Sequence, residues 1–516
     1  MRQTSITGLC VAALCTGAAT AAAAAEPRTG GPESVADWKT GGERFIADAK
    51  KLLPNTGRAR NVILFVGDGM GISTVTAARI LEGQMHGRTG EENRLFFETL
   101  PYAALSKTYS WDQQTPDSAP TMTAMVTGYK AREDQLSVDH TTARGECDAR
   151  VIAARALPTI LEQAAAAGRA TGIVTTTRIT HATPGATYAH TAMRNLEHDG
   201  QVASAPGCAG LATPVSDIAR QLIEVSPTVR RSLRVALGGG RDYFRHTGQT
   251  DPEYGGRTGL RIDGRDLIAE WTDSRGAGSA FVWNRAGFDA VDPASTRYLL
   301  GLFERSHMQY ESERAGDRGG EPSLADMTGK AIALLQQEPA GFFLHVEGGR
   351  IDHAHHAGNA RRALIETIEF ARAVRRAAEM TDPKDTLIIV TADHSHTFTL
   401  AGYPHRGNDI LGLVRPVPKV DGQNPAPSLA VDGMPYTTLG YANGPGAVSG
   451  ARGNPASADT SAPDYRQQAT VPFRGDAETH GGEDVAIFAS GPMAHLVHGS
   501  MEQNWIYYVM KEAFGF

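Results

Sequence analysis

The run Gly341-Phe342-Phe343-Leu344-His345-Val346-Glu347-Gly348-Gly349-Arg350-Ile351-Asp352-His353-Ala354-His355-His356 joins a short apolar segment to a turn crowded with carboxylates and imidazoles. The apolar part has the length and aromatic content of a buried strand, so Glu347 emerges at its carboxyl end. Asp352 and His356 have the i, i+4 spacing that points both side chains the same way on a helical turn. Carboxylates at this density repel one another unless something positive lies between them. The stretch therefore predicts a bound cation.

The same pattern recurs along the chain. A strand at 61–66 runs into Gly67-Asp68-Gly69-Met70-Gly71 and a helix from Ser73, and a strand at 387–391 ends in Ala392-Asp393-His394-Ser395-His396. A strand ending at 172–177 delivers Thr180-His181-Ala182-Thr183-Pro184, and Glu478-Thr479-His480-Gly481-Gly482-Glu483 precedes a last strand at 484–489. Helical patterns at 157–167, 215–224, 324–336 and 359–380 alternate with these strands, after an amphipathic segment at 42–53. The alternation predicts an α/β fold with a large, mostly parallel central sheet flanked by helices on both faces, and such sheets bind ligands at the carboxyl ends of their strands. The stretch 403–478 is rich in Gly, Pro, Ser and Ala and reads as a loop-rich insertion within one catalytic domain spanning 26–516.

In Thr115-Pro116-Asp117-Ser118-Ala119-Pro120-Thr121, proline just inside a small-residue helix makes Ser118 an N-cap or first-turn residue. A hydroxyl there either caps the helix or acts as a nucleophile whose phosphorylated form the helix dipole favours. The cation-binding pattern elsewhere favours the nucleophile. Arg194, in Tyr188-Ala189-His190-Thr191-Ala192-Met193-Arg194, reads by default as a solvated surface residue, but its planar guanidinium is also the group that grips a phosphate with two parallel hydrogen bonds.

Composition narrows the class. With 516 residues, 21% charged, 41% hydrophobic and a net charge of −7, the chain is an ordinary globular protein with no basic field for nucleic acid. Met1-Arg2, an apolar stretch from Ile6 to Leu14 and Ala23-Ala24-Ala25 read as a secretory signal over 1–25, too short to span a membrane, so the protein is expected to be exported to the periplasm or beyond. Its removal leaves Cys147 and Cys208, which export favours pairing; two buried free thiols are the alternative.

Collected, these stretches resemble the alkaline phosphatase family, on its animal side, through Val66-Gly67-Asp68-Gly69-Met70-Gly71, Asp117-Ser118-Ala119, Glu347 to His356, Thr391-Ala392-Asp393-His394 and Thr479-His480-Gly481. The resemblance implies a homodimeric phosphomonoester hydrolase of broad range that works through phosphoserine at Ser118, with Arg194 on the phosphate. It implies two zinc ions, one held by Asp352, His356 and His480 and one by Asp68, Asp393 and His394. A magnesium would take Asp68, Thr183 and Glu347. His181 and His353 stand where enteric bacterial enzymes have Asp and Lys, so His181 is expected to reach the third metal through water. A fourth, calcium site is implied at Glu253, Phe303, Glu304 and Glu321. Sulfatases and phosphodiesterases resemble the same core, but Ser118-Ala119-Pro120-Thr121-Met122 lacks the arginine that formylglycine formation needs. A non-enzymatic reading would make Arg474-Gly475-Asp476 an adhesion motif.

Overall fold

Ten strands form one sheet: β1 (Asn61–Val66), β2 (Tyr102–Lys107), β3 (Ala170–Arg178), β4 (Leu233–Gly239), β5 (Ser279–Val282), β6 (Tyr298–Leu302), β7 (Phe342–Glu347), β8 (Thr386–Thr391), β9 (Val485–Ser490) and β10 (Ser500–Glu502). This computed structural model describes residues 34–473, 475 and 477–516. The expected signal segment 1–25 and the arginine and aspartate of the Arg-Gly-Asp tripeptide lie outside the described residues. The strand order is β10-β2-β9-β8-β1-β7-β3-β4-β6-β5, and only β9 runs antiparallel to its neighbours.

Fully buried strands read as continuous apolar runs because both faces are covered. In β1, Ile63 and Phe65 pack under helices Ile72–Met85, Leu324–Leu335 and Ala360–Met380, while Val62, Leu64 and Val66 pack under Ser118–Thr127, Ile160–Ala166 and Trp505–Phe514. The expected two-sided α/β sheet is thus the observed one. Where helices start differently from expectation, a cap explains it. Thr159 accepts from the Glu162 amide and starts Ile160–Ala166, and Asp217 caps Ile218–Glu224 in the same way. The segment expected at 42–53 is a helix from Val35 to Ala49, set by a Ser34–Asp37 capping box. Among its described residues, the stretch 403–478 carries only short strands at Leu439–Asn443 and Ala469–Val471 and one 3-10 turn at Pro455–Ser457.

Register places the chemistry. Val66 stands beside Thr391 on one side and Glu347 on the other, and Glu347 stands beside Thr175. The carboxyl ends of three adjacent strands therefore lie at one level, with Thr175 of β3 beside them and β3 running on to Arg178. Gly69 makes the turn after β1 possible: its φ is +70°, and a Cβ there would sit 2.4 Å from His396 Nε2.

Candidate metal centre and nucleophile

Asp68 leaves the turn after β1, Asp393 and His394 follow β8, and Glu347 ends β7. Ser118 opens helix Ser118–Thr127. Its hydroxyl lies 3.3 Å from Asp68 Oδ1, 3.4 Å from Asp68 Oδ2 and 3.1 Å from His394 Nε2. Thr183 Oγ1 reaches Asp68 Oδ2 at 3.5 Å, and Glu347 accepts from Thr177 Oγ1 at 3.1 Å and from Thr175 Oγ1.

A second convergence lies on Asp352, whose Oδ1 is 3.3 Å from both His356 Nε2 and His480 Nε2. Those two nitrogens are 3.1 Å apart. Each ring donates its other nitrogen to a backbone carbonyl, His356 Nδ1 to Glu478 at 2.6 Å and His480 Nδ1 to Pro116 at 2.8 Å. A carbonyl can only accept, so in the neutral rings Nε2 presents its lone pair inward, the orientation that metal-binding imidazoles take.

The electrostatics agree with the donor set. Burial, then Asp393 and the other acids, pushes Asp68 well above the usual carboxylate range. Burial raises Glu347 to about 7 and Asp393 to about 6. Glu347 Oε1 and Asp393 Oδ2 are buried without a hydrogen bond. Asp352 is instead held well below the carboxylate range: burial works against its charge, but His356, with His396 and His480, outweighs it. Buried acids left this way need positive charge among them. Carboxylate with imidazole suits zinc, and carboxylate with hydroxyl suits magnesium, so the residues present fit such ions.

Ligand atoms lie within 4.8 Å of one another in the sets Asp352/His356/His396/His480, Asp68/Asp352/His394, Asp68/His181/Glu347, His181/His307/His353 and Glu253/Glu304/Asp317. Arg194 pairs with Asp117 and donates to His181 Nε2 at 2.9 Å. Cys147 and Cys208 are joined, with Cα atoms 5.1 Å apart.

Four participants were not singled out in the sequence. His396 bridges Asp352, at 2.9 Å, and Glu478; burial opposes its charge, but Glu478 leads the groups that raise it to about 10. Its signal was the extended Asp393-His394-Ser395-His396 spacing, which puts His394 and His396 on one side. Thr175, two residues before Thr177 on β3, carried the same alternation. Asp317 sits in the Gly-rich loop 315–320 and His307 follows β6; neither had periodicity to mark it.

The expected calcium residues are dispersed among other partners. Glu253 and the Phe303 carbonyl both accept from Arg241, at 2.8 and 3.0 Å, and Glu304 accepts from Tyr254 at 2.6 Å. Asp317, rather than Glu321, completes the close set with Glu253 and Glu304. Glu321 Oε2 accepts from the Gln309 amide at 2.9 Å, while its Oε1 and both Asp317 oxygens are buried without hydrogen bonds.

An α/β sheet with carboxylates, imidazoles and a helix-borne serine at its strand ends defines a metal-dependent hydrolase. The profile of the family described as "Alkaline phosphatase" matches residues 59–516. The chain is 46% identical to the tissue-nonspecific alkaline phosphatase of Gallus gallus over 92% of its length and 88% of that protein. It is equally identical to the Homo sapiens enzyme, over 91% and 86%. The solved Thermus thermophilus alkaline phosphatase is similar with a TM-score of 0.62 at 25% identity, over 90% of this chain and 93% of that one. The chain belongs to the alkaline phosphatase family: it is a metal-dependent enzyme that hydrolyses phosphomonoesters.

Proposed function

We propose that Ser118 is the nucleophile and that the phosphoryl group passes through it to water. The observation that carries this is the Ser118 hydroxyl at 3.1–3.4 Å from His394 and Asp68, at a helix start and beside unsatisfied carboxylates. Asp352, His356 and His480 would hold one zinc, and Asp68, Asp393 and His394 a second. Asp68, Thr183 and Glu347 would hold magnesium, with His181 reaching it through water. When bound, such ions supply Lewis acidity that lowers the pKa of a hydroxyl and offsets charge on entering and leaving oxygens.

The residues do the rest. Asp68 and His394 orient Ser118 Oγ, which loses its proton on the Asp68 side and forms its bond to phosphorus as the bond to the leaving alcohol's oxygen breaks, the departing oxygen taking up a proton from solvent. The first-turn amides of Ser118–Thr127 favour the charged phosphoserine. Arg194, made rigid by Asp117 and His181, turns its two parallel donors to the non-bridging oxygens. Burial works against its charge and Asp117 more than compensates, so the guanidinium stays charged. Water then attacks phosphorus from the opposite side and the Ser118 oxygen leaves. His396 holds Asp352 from behind. Because contacts end at the phosphoryl group, a broad range of monoesters fits.

Glu253, Glu304, Glu321 and the Phe303 carbonyl, joined by Asp317, form an oxygen-only set suited to calcium. Its buried, unpartnered oxygens support that assignment. A homodimer is supported by helix Val35–Ala49, which buries none of its residues yet exposes Val35, Trp38, Phe45 and Ile46. Among the described residues no helix is long and apolar enough to cross a membrane, and the signal-like start supports export. Chelation tests the metal reading: stripped enzyme should lose phosphomonoester turnover, and zinc with magnesium should restore it where magnesium alone does not. Full turnover in protein shown metal-free by elemental analysis would contradict it.

A further inference from the structure

His307 and His353 have no part in the proposed chemistry, yet with His181 they bring ring nitrogens within 4.8 Å of one another. The rings meet edge to face, with centroids 5.2 Å apart for His181–His307, 5.5 Å for His181–His353 and 4.2 Å for His307–His353. They come from three segments: the residue before Ala182–Gly185, the loop after β6, and helix Arg350–His356. All three side chains are half-buried rather than fully enclosed.

Each ring already offers a nitrogen to positive charge. Arg194 Nη2 donates to His181 Nε2 at 2.9 Å, Arg350 Nη1 to His353 Nδ1 at 2.9 Å, and Arg178 Nη1 meets His307 Nε2. His181 Nδ1 is buried with no partner at all.

We propose that His181, His307 and His353 form a separate cation site that selects zinc-like ions over magnesium or calcium, since a set of three imidazoles suits borderline-soft metals and lacks the oxygen ligands hard ones need. The site does not depend on the assignment of Ser118. An ion would take one nitrogen from each ring, and each arginine has a further partner should its histidine bond be given up. Arg178 keeps Glu197 through two bonds of 2.7 Å, Arg194 keeps Asp117, and Arg350 keeps the face of Tyr310 at 3.7 Å. His181 also belongs to the Asp68/Glu347 set. An ion held by the three imidazoles therefore competes with the magnesium-type position for that one side chain.

The test uses the full enzyme, stripped, reloaded with zinc and magnesium at graded zinc, desalted and analysed for metal per chain. Wild type should take up a further zinc equivalent that His307→Ala lacks, and cobalt added after loading should give a visible absorption band absent from the variant. Because Arg178 leans on His307, His307→Gln is measured beside it: it keeps a polar side chain there and should also lack the extra equivalent while retaining the other metals. Equal metal content and equal cobalt spectra in wild type and His307→Gln would overturn the site. Phosphomonoester turnover at limiting zinc, unchanged in the variants, separates this outcome from any failure of the catalytic assignment.

Discussion

His394 Nε2 lies 3.1 Å from the Ser118 hydroxyl, and Asp68 Oδ1 lies 3.3 Å from the same oxygen on the neighbouring strand's turn. Burial, with His480 stacked on the ring at 3.6 Å, holds His394 well below the ordinary imidazole range, so its ring is neutral and Nε2 keeps a lone pair on the side that faces the hydroxyl. Asp117 is the N-cap residue and makes no side-chain cap bond, so Ser118 stands in the first turn with its hydroxyl on Asp68 and His394 rather than on a backbone amide.

Arg194→Ala should weaken inhibition by inorganic phosphate and lower kcat/KM by a factor equivalent to ~1.5–3 kcal/mol, the worth of a lost bidentate charge-assisted contact. The fold should survive, since Asp117 and His181 are both close enough to solvent to rehydrate. Phosphate inhibition equal to wild type would show that the guanidinium serves only Asp117.

Calcium should stabilise the enzyme more near pH 9 than near pH 6. Burial, reinforced by neighbouring acids, raises Glu321 to about 9 and Asp317 to about 6, against an ordinary value of about 4. Acids raised in this way hold protons in the folded state that the unfolded chain has released. The metal-free fold therefore loses stability as pH climbs from the ordinary carboxylate range through those values. Calcium needs the deprotonated oxygens, so its benefit to the native state grows across the same window. Thermal midpoints of zinc- and magnesium-loaded protein, with and without calcium, read this directly, and Glu304→Ala should remove the calcium-dependent rise. A midpoint indifferent to calcium at both pH values would dismiss the fourth ion.

Removing the Cys147–Cys208 bond with a paired Cys→Ser variant should destabilise the protein by about 2–5 kcal/mol, because the bond closes a loop 61 residues long. Thiol titration of unreduced, denatured protein should find neither cysteine free. Two titratable thiols would contradict the pairing.

The strand-end motifs were legible because β1, β3, β7 and β8 are buried on both faces, which writes them as unbroken apolar runs whose last residues carry the chemistry. Strands toward the two ends of the sheet were not. Tyr102–Lys107 is exposed or half-buried at every position but Ser106 and lacks that run, and Ser279–Val282, at the edge, is too short to stand out. The site shows the same division. Ligand candidates that follow strands could be read off, whereas the role of His396 depends on Asp352 and on Glu478, brought to it across 44 and 82 residues of chain. Asp317 and His307 lie in loops whose positions depend on the finished fold. The Arg241 guanidinium on the Phe303 carbonyl is likewise a tertiary fact with no local signature.

The central claim is that Ser118 carries the phosphoryl group. Enzyme mixed with a phosphomonoester, quenched rapidly in acid and digested should yield one phosphorylated peptide, with the group on Ser118. Ser118→Ala should yield none and lose several orders of magnitude in turnover while keeping its metal content. A phosphorylated peptide elsewhere, or wild-type turnover in the alanine variant, would contradict the account.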